Sequence, residues 1–196
     1  MRVPPEPIVR PAQNTLSPAT QPSQSAAPGN DSVETASAPS ANRVQAERLF
    51  AEGRRAQQAH RLPDAINSYR AATFQDPTYF EAFYNLALVT SESGNLPAAI
   101  AAYQNALAIR PDSLDARYNL ALVLKQNNDY TTAVNEFEKL LEKYPNDTRL
   151  HLALGNLYAQ QLHDPARARQ HYLKVLEIDP HNPQAGTIRF WLTSNP

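Results

Sequence analysis

Four prolines, Pro77, Pro111, Pro145 and Pro180, stand 34, 34 and 35 residues apart. Internal repetition at a fixed period of this size constrains the fold more tightly than composition does, because each copy must build the same supersecondary unit. Aligned on these prolines, the copies begin at Ala46, Phe80, Leu114 and Thr148. Their eighth positions read Gly53, Ala87, Ala121 and Gly155. Their twentieth positions read Ala65, Ala99, Ala133 and, after one inserted residue, Ala168. Small residues at matched places let two helix surfaces approach closely. Large residues fill the space around them: Leu86, Leu120 and Leu154 at the seventh position, and Tyr69, Tyr103, Phe137 and Tyr172 at the twenty-fourth. Each copy therefore reads as two antiparallel helices with an apolar seam.

The helix breakers divide the copies in the same way. Gly94-Asn95 and Asn127-Asn128-Asp129 fall between the two helices of their repeats, where turn residues are needed. Pro63, Pro97 and Pro165 stand where a second helix should begin, a place that tolerates proline because its N–H is unpaired anyway. Asp164, before Pro165, is placed to cap that helix. The periodic prolines close each second helix, since the residue before a proline resists the helical conformation.

The residues ahead of the repeats have a different texture. Eight of the 17 prolines precede Ala41, and no Phe, Trp or Tyr occurs there. Such a stretch cannot bury enough apolar surface to offset its conformational entropy, so residues 1–43 are expected to form a disordered Pro/Ser/Ala-rich tail. Residues 44–193 are expected to form the folded domain, with repeats at 46–79, 80–113, 114–147 and 148–182. Over about 183–193, Ile188, Trp191 and Leu192 share one helical face and should cap the fourth repeat, with Phe190 off that stripe.

Charge and composition narrow the function. With 18 Lys+Arg against 19 Asp+Glu, the formal net charge is −1, so there is no global basic field for binding nucleic acid through its phosphates. Cysteine is absent, which removes a disulfide framework, a thiolate metal site and a cysteine nucleophile together. The five histidines form no HExxH arrangement, and neither a phosphate-binding glycine loop nor a GxSxG elbow occurs. No catalytic, cofactor or metal site is expected. No apolar run approaches the ~18–20 residues of a membrane span. The compartment stays open between the cytoplasm and an extracytoplasmic space behind a removed N-terminal anchor. The basic residues Arg167, Arg169 and Lys174 read as a solvated face.

In these residues the chain resembles the tetratricopeptide repeat family over 46 to about 181, in four copies. The resemblance implies an all-α, right-handed superhelix whose first helices line a concave face. Some positions depart from the family pattern: Glu52 replaces a large apolar residue, and Arg117 and His151 occupy fourth positions usually held by Trp or Leu.

Carried over by repeat position, the concave groove would comprise Phe50, Tyr84, Tyr118 and Leu152 at the fifth position. It would add Asn85 and Asn119 at the sixth, and Arg54, Leu88, Leu122 and Asn156 at the ninth. In protein O-linked N-acetylglucosamine transferases the matching asparagines bond the main chain of a bound peptide, and Asn85 and Asn119 fit that position while Ala51 and Ala153 do not. The tyrosines and amides read equally as packing and solvated residues. The carboxylate-clamp pattern of chaperone adaptors fits at Asn85 alone, and Asp115 would repel a carboxylate. The expected function is non-catalytic binding of a peptide or helix from a protein partner. A recruiting subunit of an enzyme complex and a self-assembling protein are the alternatives.

Overall fold

The computed structural model describes residues 41–195, so the expected tail lies outside the described residues up to residue 40. Among the described residues there are nine α-helices and no strand. They are α1 (Ala41–Gln58), α2 (Leu62–Gln75), α3 (Phe80–Glu92), α4 (Leu96–Ile109), α5 (Leu114–Gln126), α6 (Tyr130–Lys143), α7 (Thr148–Gln160), α8 (Pro165–Ile178) and α9 (Ala185–Ser194). Each packs on its neighbours in the chain, giving four hairpins and a terminal helix.

Helix α1 starts at Ala41, upstream of the expected boundary at residue 44. The reason is Arg43: its guanidinium bonds Asp76 at 2.7 Å and Glu47 at 3.0 Å, and lies 3.9 Å over the Tyr79 ring. These contacts tie the first turn to the end of the first hairpin.

The seam within each hairpin is built as its small and large positions require. Ala65, Ala99, Ala133 and Ala168 are fully buried, and so are Tyr69, Tyr103 and Phe137. At two places only glycine fits. A Cβ on Gly53 would stand 2.7 Å from the Tyr69 ring, and one on Gly155 would stand 2.7 Å from the Tyr172 ring. Gly in a helix costs ~0.5–1 kcal/mol relative to Ala, and the close approach of α1 to α2 and of α7 to α8 is what that cost permits.

The turns within hairpins each place one residue in the left-handed region: His60, Gly94, Asn128 and His163. Pro63 and Pro97 are the second residues of α2 and α4 and Pro165 is the first of α8, with side-chain caps from Asn95, Asp129 and Asp164 onto α4, α6 and α8. Asp164 accepts from the Arg167 amide at 3.0 Å, the cap expected of it.

Glu52 follows from its place in the array. The seventh-position Leu86 packs back onto the preceding hairpin, against Ala56, Ala65 and Tyr69. No described hairpin precedes α1, so Glu52 pairs with Arg48 at 3.3 Å on an outward face.

At the other end Ala185 and Ile188 are buried and Trp191 meets Tyr172 edge-on at 5.0 Å. The basic residues of α8 are partnered. Arg169 donates to the Leu192 and Asn195 carbonyls, both at 3.1 Å, and so closes the C-terminus of α9. Arg167 pairs with Asp164, and Lys174 with Glu177.

Candidate functional site

The ten residues expected to line the groove divide into two sets. Tyr84, Leu88, Asn119 and Leu122 are buried. Phe50, Asn85, Tyr118, Leu152 and Asn156 are half-buried, and Arg54 is exposed. The aromatic and amide row is therefore not displayed as one surface.

Asn119 is fully buried, and its Nδ2 donates to the Tyr84 hydroxyl at 2.9 Å. Tyr84 is itself only 4% exposed, stacked on Phe80 at 5.9 Å and edge-on to Tyr103 at 5.8 Å. Burial pushes both tyrosine hydroxyls far above their ordinary range, most strongly at Tyr103. Asn119 thus joins the second repeat to the third from within. An amide buried this way is a packing element, and a bound peptide would not meet it without opening that boundary.

The neighbouring boundaries lack the same pair for a simple reason. The bond needs a tyrosine at the fifth position of one repeat and an asparagine at the sixth of the next. Asn85 has Phe50 before it, which carries no hydroxyl, and its Nδ2 instead donates to the Glu81 carbonyl at 2.8 Å on its own helix. Tyr118 is followed by Ala153, which carries no amide. Of the two asparagines, Asn85 alone reaches the surface.

The partly exposed set has its own supports. The Phe50 ring lies 5.5 Å from Tyr69 and 5.1 Å from Tyr79. Tyr118 sits edge-on to Phe137 at 5.6 Å, with the Arg149 guanidinium 5.9 Å from its ring centre. Asn156 accepts from the Tyr172 hydroxyl at 2.9 Å, while burial pushes that hydroxyl up to about 12. Tyr69 is raised to about 12 by the same cause, and its hydroxyl donates to Gln57 at 2.7 Å.

Column-by-column reading of the sequence missed a second pattern. In the third and fourth repeats the fourth position meets the twenty-third position on the second helix. Arg117 bonds Glu136 at 2.7 Å, and His151 Nδ1 lies 3.0 Å from His171 Nδ1. In both cases the fourth-position side chain also donates to the carbonyl of the periodic proline six residues earlier: Arg117 to Pro111 at 2.6 Å, His151 Nε2 to Pro145 at 2.9 Å. Repeat two holds Phe83 and Ala102 at these two positions. The apparent departures at Arg117 and His151 are matched pairs.

Among the described residues no three His, Asp or Glu side chains are grouped to hold a metal ion, and no helix is long and apolar enough to cross a membrane.

Three family models described as tetratricopeptide repeat match residues 50–113, 90–157 and 148–182. The chain belongs to the tetratricopeptide repeat family. No curated protein matches it. Among solved tetratricopeptide structures, a crystal structure of MamA is 27% identical with a TM-score of 0.63, covering 69% of this chain and 78% of that one. A tetratricopeptide repeat protein from Parabacteroides merdae shares the fold at 23% identity and a TM-score of 0.69, covering 76% of this chain and 59% of its own. YrrB, described as having an unusual peptide-binding site, shares the fold at 21% identity and a TM-score of 0.61, covering 76% and 78%. The tetratricopeptide fold is a protein-interaction module, and its family is generally non-catalytic.

Proposed function

We propose that the chain acts as a non-catalytic scaffold or adaptor that takes a segment of a protein partner on the face of α1, α3, α5 and α7. The observation that carries this reading is the row of half-buried apolar side chains, Phe50, Tyr118 and Leu152, each at the fifth position of its repeat. Asn85 lies half-buried on the same face, and Arg54 is exposed one turn beyond Phe50. Rings and leucines that are partly buried before binding lose little rotamer freedom on contact, which makes them suited to anchor a ligand.

The buried Tyr84, Leu88, Asn119 and Leu122 form the floor beneath this face and set its shape. Asn85 is the polar contact able to fix the register of an extended main chain. YrrB, a relative in fold, is described as binding peptide, which agrees with this use of the architecture. Arg54 is the one charged residue among those placed on this face, so binding should depend only modestly on salt.

A display selection of random peptides against the purified chain tests the proposal. Selected peptides should be rich in apolar residues. Their affinity should fall at least about tenfold for Leu152→Ala and for Asn85→Ala, neither of which removes a fully buried side chain. Peptides that bind both variants as well as they bind the parent chain would move the binding surface elsewhere.

A further inference from the structure

Two buried tyrosine hydroxyls fix the orientation of two amides on the groove face. Gln57 is the twelfth residue of the first repeat, seven after Phe50 and three after Arg54, so it shares their side of α1. Asn156 takes the ninth position of the fourth repeat, four after Leu152 on α7. Both are half-buried. The Tyr69 hydroxyl donates to Gln57 Oε1 at 2.7 Å, and the Tyr172 hydroxyl donates to Asn156 Oδ1 at 2.9 Å.

The tyrosines set the direction of these bonds. Tyr69 is fully buried and Tyr172 nearly so, and burial raises both hydroxyls to about 12. Each therefore keeps its hydrogen and has to place it on an acceptor. A carboxamide supplies one through its oxygen. Turned over, it would present N–H and leave the hydroxyl hydrogen unbonded. In a planar carboxamide the nitrogen branches away from the oxygen, so an oxygen aimed at the buried hydroxyl leaves the nitrogen toward the groove. Gln57 Nε2 and Asn156 Nδ2 bond no other described residue. Among the described residues the buried side-chain polar atoms without a hydrogen bond are the Ser91 and Tyr103 hydroxyls, so the two amide nitrogens reach solvent.

The arrangement is confined to the end repeats. The second repeat has its tyrosine, Tyr103, but Leu88 and Ser91 stand at the ninth and twelfth positions, and neither carries an amide. The third repeat has Phe137, which carries no hydroxyl. Over the first repeat the groups turned to the groove are thus donors, Gln57 Nε2 with the exposed Arg54 guanidinium one turn before it. Over the fourth repeat the donor is Asn156 Nδ2. Asn85, between them, has the opposite commitment, because its nitrogen is the atom bonded within its own helix.

We propose that the groove selects segments that present carbonyl oxygens over the first and fourth repeats, with Gln57 and Asn156 as the specificity-determining contacts. Tyr69 and Tyr172 are the positioning residues that aim them. This inference rests on the groove reading and adds to it the polarity of the ligand.

The test uses the full chain and a peptide from the display selection whose affinity falls on Leu152→Ala. Gln57→Glu and Asn156→Asp keep the shape, and keep an oxygen for the tyrosine, but replace the N–H donors with an acceptor. Each should lower the affinity at least about tenfold by setting oxygen against oxygen. The loss should persist in about 0.5 M NaCl, which screens a simple charge effect. In the parent chain the NMR signals of the Gln57 and Asn156 side-chain amides should shift as the peptide is added. Tyr69→Phe and Tyr172→Phe should weaken binding by a smaller factor, about threefold, since each released amide still carries its donors. Parental affinity in both Gln57→Glu and Asn156→Asp, while Leu152→Ala still weakens binding, overturns the proposal and leaves the groove reading standing. A loss that disappears in salt also overturns it, because repulsion and not a missing donor would be the cause. A selection in which no peptide responds to Leu152→Ala or Asn85→Ala removes the groove reading, and this inference with it.

Discussion

His151 Nδ1 faces His171 Nδ1 at 3.0 Å across the hairpin of α7 and α8. His151 Nε2 lies 2.9 Å from the Pro145 carbonyl, which can only accept, so Nε2 carries a hydrogen. Uncharged His151 then presents a lone pair at Nδ1, and His171 donates to it. Two added protons would set N–H against N–H. Burial, and then the neighbouring His151, hold His171 down at about 4. The Tyr158 ring stacks on His171, with Glu138 of α6 and Arg167 of α8 both bonded to its hydroxyl.

The sign of the pH dependence follows. An unfolded chain protonates His171 near its ordinary 6.5, the folded chain only near 4, so between these values the unfolded state binds more protons. Stability is therefore full above about 6.5 and falls as the pH drops toward about 4. The partly exposed ring reduces the loss to about 1–2 kcal/mol. Urea unfolding at about pH 7 and pH 4.5 should show this difference, and His171→Gln should remove most of it. Asp76, held below its ordinary range by the Thr78 hydroxyl and then Arg43, contributes stability that is lost only at lower pH. Equal pH dependence in the parent and His171→Gln would show that the pair does not titrate with folding.

The bond between Asn119 and Tyr84 should matter to stability before it matters to any ligand. Asn119→Ala leaves a buried hydroxyl without this donor and should cost about 1–3 kcal/mol, despite the better helix propensity of alanine. Tyr84→Phe should cost a similar amount by removing one partner of the buried amide. The double variant should cost clearly less than the sum, and a thermodynamic cycle from denaturant titrations measures that coupling. Strict additivity would mean that the two groups do not interact in the folded chain.

Two glycines should respond in opposite directions to the same substitution. Gly155→Ala drives a methyl group into the Tyr172 ring and should destabilise by about 1–3 kcal/mol, more than the helix propensity returns. Gly186→Ala meets open space and should raise stability by up to about 0.5–1 kcal/mol. Thermal unfolding of the two variants side by side decides this, and a stabilising Gly155→Ala would show that α7 and α8 can part without penalty.

The Arg117–Glu136 pair should behave as a replaceable unit. Arg117→Phe alone leaves the poorly exposed Glu136 carboxylate with Lys139 as its remaining cation, at a cost of about 1–2 kcal/mol. Adding Glu136→Ala recreates the Phe83 and Ala102 pairing of the second repeat and should recover most of that loss. Failure of the double variant to recover would show that the ion pair contributes more than its apolar counterpart.

Much of the fold is legible in the proline period, because Pro77, Pro111, Pro145 and Pro180 act locally. So do Pro63, Pro97, Pro165 and the Asp164 cap, each by closing or opening a helix at its own place in the chain. The site is less legible, since its residues act across repeat boundaries. Asn85 and Asn119 are the same letter at the same position, yet Phe50 and Tyr84 send them to opposite fates: the surface and the core. Arg117 and His151 look irregular only while Glu136 and His171, 19 and 20 residues away, are read separately. Comparing pairs of positions between successive copies, as well as single positions down the copies, would have exposed both relationships.

The outward carboxylate of Glu52 also bears on how such an array can grow. Duplicating an inner copy, such as residues 80–113, carries Leu86 into a new boundary that already accepts leucine. Duplicating the first copy would place a second Glu52, with its Arg48 partner, at a boundary that elsewhere holds leucine, where both charges would lose water. Lengthening this chain by gene duplication is therefore open from the middle and penalised at the front.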